Sequence, residues 1–194
     1  ITASMFLDIA IVGQLLGPVA MGAVNLALPV TMAFNMVYML LGTGGEVLIS
    51  AAKGAGNAGE ANKLFSLTML SIVVISIIIM IVGLGAGQEF AAVLSRGDAD
   101  MEPLLARYIH IMFIAAPLLI GVTSMTYFVK VDAMPKFSAG IMVITNAVNI
   151  MSKLFYMGPL KMGMEGAAYG TITGFTVGFL LMVPYLFFRR KRTL

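Results

Sequence analysis

Asp8, Asn146, Asn149, Lys153 and Thr171 stand inside apolar runs of this sequence. Asn146, Asn149 and Lys153 fall at i, i+3 and i+7 of the stretch from Met134 to Tyr156, which sets them on one helix face. Thr145, Ser152 and Tyr156 flank that face. Polar groups are costly in hydrocarbon, so such a stripe faces other protein or a water-filled cavity. It is either a seam between packed helices or a binding site. Asp8 is the clearest ionisable residue within an apolar run. A carboxylate at that depth can take up and release a proton as a coupling element. Its oxygens, with those of Asn149 and Thr171, also make a set for a hard cation such as sodium. A third possibility is an Asp8–Lys153 pair that only neutralises itself. Counted along a helix, Asp8 and Asn149 each lie about 12 Å inside the outer ends of their runs, and Thr171 about 9 Å. Lys153 is one turn shallower and within reach of Asp8.

Other chemistries are excluded. The 194 residues hold no Cys and a single His, His110, so there is no disulfide, no thiolate and no Cys or His metal cluster. His110 reads as a wet residue at the outer headgroups. The run from Gly42 to Glu46 lacks the Gly-Lys-Ser/Thr ending of a phosphate-binding loop, so pumping would draw on an ion gradient. The expectation is a protein that is not an enzyme and has no cofactor beyond a coupling ion, H+ or Na+. Glu46 either pairs with Lys53 or lines an inner vestibule. The 17 Met residues are gap filler or an adaptable ligand surface.

These residues need helices to hold them. The chain is 60% hydrophobic and 11% charged with mean hydropathy +0.99, which marks an integral membrane protein. The net charge of +3 reflects loop and terminal basic residues and points to topology, not nucleic acid. The expected fold is an all-α membrane protein, a six-transmembrane-helix bundle with spans at 1–16, 20–52, 64–87, 108–129, 134–156 and 166–188 and a basic tail at 189–194. Pro29 should kink the second span and Pro117 the fourth. Lys53 to Lys63 reads as a polar turn and Ser95 to Arg107 as a charged loop. Gly166, Gly170, Gly174 and Gly178 form a smooth ridge along the sixth span for a closely packed neighbour. The chain opens at Ile1, apolar at once and without the basic start of a signal peptide, so the first span reads as the remainder of a longer one. Lys53, Lys63, Lys130, Lys136, Arg189, Arg190, Lys191 and Arg192 fall on one side, and Arg96, Arg107, Lys153 and Lys161 on the other. The positive-inside rule then puts both termini in the cytoplasm, with the protein multi-pass in the cell inner (plasma) membrane.

Leu7 to Gln14, Leu48 to Ser50 with Gly54 to Asn57, Val131 to Lys136, Asn149, and Gly163 to Ala168 together resemble the N-terminal lobe of MATE (multidrug and toxic compound extrusion) transporters. The likeness runs over nearly the whole chain, in order. It implies one lobe of a two-lobe transporter, with a second six-helix lobe supplied by the same polypeptide or by a homodimer. It implies export of cationic, amphipathic compounds in exchange for protons or sodium, with membrane lipid and small organic cations as partners and no nucleic acid. The family's cation site uses an Asp on helix one, an Asn and an Asp four apart on helix five, and a Thr on helix six. Asp8, Asn149 and Thr171 match those positions; Lys153 stands where the second Asp would be. That charge reversal places sodium binding in doubt. Two other readings stay open. One is a related flippase of lipid-linked substrates, which a broad basic cavity would favour. The other is a non-transporting structural lobe.

Overall fold

A computed structural model describes the backbone of residues 2–96 and 98–192 and the side chains of 9–96 and 98–186. Every element among them is helical. α1 spans Thr2–Leu16 and ends at Gly17, whose φ of +87° suits a residue without Cβ. Pro18 then opens α2 (Pro18–Leu26), where its missing N–H costs nothing. After Ala27 the chain resumes as α3 (Leu28–Gly54). The expected kink in the second span is therefore a break. Pro29 at the start of α3 cannot donate to the preceding turn, and the Ala27 carbonyl instead accepts from the amides of Val30 and Thr31.

The polar turn expected over 53–63 shrinks to Ala55, Gly56 and Asn57. Asn57 caps α4 (Ala58–Ser95) by accepting from the Glu60 amide at 3.1 Å, while Glu60 accepts from the Asn57 amide group at 2.9 Å. Lys and Glu are good helix formers, so one capping residue converts the polar stretch into a first turn. The charged loop expected over 95–107 likewise gives way to α5 (Glu102–Val131), which contains Arg107. α6 covers Pro135–Met157, and α7 covers Gly163–Arg192, carrying helix through the stretch expected to be a basic tail.

Among the described residues, five segments are long and apolar enough to cross a membrane, with α2 and α3 counted together as Pro18–Gly54. α5 is the axis of the bundle. Of its most apolar stretch 67% is buried, against 17% for α4, most of whose Ile and Val side chains face outward while Ile72 turns in. Phe34 of α3 meets Phe113 of α5 edge-on at 5.6 Å, and Phe65 of α4 meets Phe128 at 5.4 Å. At the end where α3 and α5 finish, Asp132 accepts from Lys53 and from the Tyr185 hydroxyl, tying α3, α5 and α7 together. Lys53 is thus engaged by Asp132, not by Glu46. At the other end Arg107 of α5 donates to Glu165 of α7 at 3.1 Å.

Candidate functional site

The polar stripe of α6 divides in two. Ser138, Ile141, Thr145, Asn149, Lys153 and Met157 are its buried line. That line packs on the glycine ridge of α7, rung for rung. A methyl group at Gly174 would sit 2.7 Å from the Thr145 carbonyl oxygen and from the Asn149 Cβ, and one at Gly170 would sit 2.8 Å from the Lys153 backbone nitrogen. Gly166 faces Tyr156 and Met157, and Gly178 faces Thr145. Asn146 lies 60° around the helix from Asn149 at 100° per residue and turns away from the ridge. It is half-buried and donates back to the Met142 carbonyl at 2.8 Å.

Asn146, Asn149 and Thr171 line one cavity of about 180 Å³. Asn149 and Thr171 are each 7% exposed. The Thr171 hydroxyl donates to the Ala167 carbonyl at 3.2 Å, which leaves its lone pairs available to the cavity. α1 reaches the same space through Ile9, next to Asp8 in sequence. The Asp8 side chain lies outside the described residues. Phe34, Tyr38, Tyr108 and Phe175 supply aromatic surface, and Met112 and Met142 supply thioethers. Thr31, Asn35 and Tyr38 of α3 form the opposite polar wall. Asn35 donates to the Thr31 carbonyl at 2.9 Å and accepts from the Tyr38 hydroxyl. None of the described lining residues carries a charge. Lys153, 3% exposed, is not among them; its stem lies against Gly170 and it has a polar or electrostatic partner within the fold.

A profile described as MatE matches residues 1–155 of the 194. The chain belongs to the MATE family. It is 24% identical over 194 residues to the "Probable multidrug resistance protein YoeA" of Bacillus subtilis (strain 168), a match covering 93% of this chain and 41% of that one. It is 25% identical over 180 residues to the "Multidrug export protein MepA" of Staphylococcus aureus (strain MRSA252), covering 92% and 40%. The chain spans about two fifths of the length of these relatives. Among solved structures it superposes on a MATE in the straight conformation with TM-score 0.90 at 22% identity, over 100% of this chain and 42% of the other. It also superposes on the inward-facing conformation of a multidrug resistance MATE transporter with TM-score 0.89 at 21% identity, over 96% and 42%. A third match is a MOP superfamily transporter from Pyrococcus furiosus, described as having a binding pocket of reverse polarity. It has TM-score 0.90 at 22% identity, over 97% and 41%. These likenesses show the fold: a multi-pass membrane bundle that is the N-terminal half of the MATE architecture.

Within this MATE half, Asn149 and Thr171 bring an amide and a hydroxyl to the cavity beside the polar groups of Thr31, Asn35, Thr123 and Asn146. A hard cation is held by several oxygens, carboxylates often among them. An ammonium also sits one turn along α6 at Lys153. Thr31, Asn35 and Tyr38 were absent from the sequence-derived site although they repeat at i, i+4 and i+7, a polar face as regular as the one on α6.

Proposed function

We propose that this chain is a lobe of an ion-coupled antiporter that exports cationic, amphipathic compounds by alternating access. The cavity lining supports the reading. Aromatic faces attract an organic cation, amide oxygens orient it, and thioethers adapt to varied shapes. A drug-sized ligand needs roughly 300–1,000 Å³, and the cavity offers about 180 Å³. One lobe would thus hold only the ligand's head, with a second six-helix lobe closing over the rest.

In this reading coupling runs through the proton. Protonation of Asp8 alters the packing of α1 against α6 and α7, and the Lys153 ammonium competes with sodium. The bilayer is the cell inner (plasma) membrane, with both termini cytoplasmic by the positive-inside count. A flippase of anionic, lipid-linked substrates ranks second: Lys153 favours it, but that residue does not line the cavity.

The test is efflux of a fluorescent organic cation such as ethidium from cells producing the protein. Lowered accumulation that disappears when the proton gradient is collapsed supports the reading. Unchanged accumulation, or transport of an anionic amphiphile alone, overturns it. Asp8→Asn that spares efflux but lowers thermal stability would assign the acid a structural role.

A further inference from the structure

Where α4 ends and α5 and α7 begin, the three helices enclose an open groove of about 570 Å³, separate from the central cavity. Its floor is apolar: Leu84, Ala106 and Ile111. Its rim is polar: Gln88 from α4, Arg107 and His110 from α5, Glu165 and Tyr169 from α7. Arg107 and His110 lie at i and i+3, on one face of α5. Along α4, a methyl group added at Gly85 or Gly87 would meet nothing within 4 Å, so the space beside that helix is open.

The rim is a pair of opposite charges with donors to spare. Arg107 spends one N–H on Glu165, while the two side chains remain 73% and 37% exposed. A guanidinium offers five N–H donors in a planar fork suited to phosphate. An exposed ion pair adds little stability, typically about 0–1 kcal/mol, so structure alone gives weak reason for these charges to meet over an apolar floor.

The level is that of a headgroup. α5 has 30 residues, about 45 Å, against a hydrocarbon core of about 30 Å, so on a centred span Arg107 lies at the polar boundary and His110 about one turn inside it. We propose that the groove binds a zwitterionic phospholipid of the phosphatidylethanolamine type. The phosphate rests on Arg107, His110 and the Tyr169 hydroxyl. The ammonium rests on Glu165 and the Gln88 side-chain oxygen. The first acyl carbons lie on Leu84 and Ile111. A purely anionic headgroup would meet Glu165, and a purely cationic amphiphile would meet Arg107.

The experiment follows lipid retained by the purified protein in native mass spectrometry, with melting temperature read in parallel. The probes are phosphatidylethanolamine, phosphatidylglycerol and soluble phosphoethanolamine. Phosphatidylethanolamine should be retained at least fivefold over phosphatidylglycerol and should raise the melting temperature. His110→Ala and Arg107→Ala should each lower retention severalfold with the lipid-free melting temperature unchanged. Equal retention of both lipids, an equal shift from soluble phosphoethanolamine, or retention unchanged in both variants would each overturn the assignment.

Discussion

A lysine only 3% exposed in an apolar bundle makes a heavy electrostatic demand on its surroundings. Lys153→Ala removes this buried group and its packed stem, a core truncation worth about 2–5 kcal/mol, and should lower the melting temperature sharply. Lys153→Asp restores the acid that the family carries on this helix. The expected outcome is efflux that responds to an imposed sodium gradient, measured in vesicles against the parent protein. Unchanged ion dependence would count against Lys153 as the residue that selects the coupling ion. Asn35 belongs to the cavity wall instead. Asn35→Ala removes the acceptor of the Tyr38 hydroxyl and one polar wall of the cavity. Its KM for organic cations should rise several-fold, while melting falls by no more than the about 1 kcal/mol worth of one hydrogen bond. The α6 residues were legible because polar atoms stand out in an apolar run. The α3 residues carry the same signal but no charge, and spacing alone does not say which polar face meets a void.

The glycine ridge of α7 was legible as a surface for close packing, since four-residue spacing keeps small residues on one face. Its partner was not, because periodicity names a face and never the neighbour. That partner is the buried line of α6, which makes a sharp contrast testable. Gly174→Ala drives a Cβ to 2.7 Å from the Thr145 carbonyl oxygen, a backbone atom with nowhere to go. It should destabilise by about 1–3 kcal/mol. Gly140→Ala on α6 meets nothing within 4 Å and should be neutral or stabilising by about 0.5–1 kcal/mol. Equal melting temperatures for the two variants would contradict the seam. The sequence reading erred at element ends. Polar composition suggested long turns where Asn57 needs only three residues, and Pro29 produced a break instead of a bend.

Across the whole molecule, the ends of the bundle are held by few polar contacts while the middle is held by shape. Asp132 joins α3 and α7 to the axial helix α5, with its side chain 14% exposed. Asp132→Asn should cost about 1.5–3 kcal/mol, the range for hydrogen bonds to a charged group. Lys53→Ala, at a 36% exposed side chain, should cost under about 1 kcal/mol. Chemical denaturation of the two single variants and the double would separate their coupling. Six apolar runs and their order announced the bundle. The Lys53–Asp132–Tyr185 meeting was hidden, because those residues are 79 and 53 positions apart and no local pattern links them.

The seam between α6 and α7 repeats every four residues on both sides, which has a consequence for motion. Sliding one helix past the other by a single repeat, about 6 Å, would keep the spacing but set each glycine against a different side chain of the Thr145, Asn149, Lys153 and Met157 line. Spacing alone therefore allows neighbouring alignments. What selects one is the five-residue corner from Gly158 to Met162, too short to pay out a further 6 Å in its folded form. The two helices are geared but locked: turning them as one body keeps the seam, while sliding them apart breaks it.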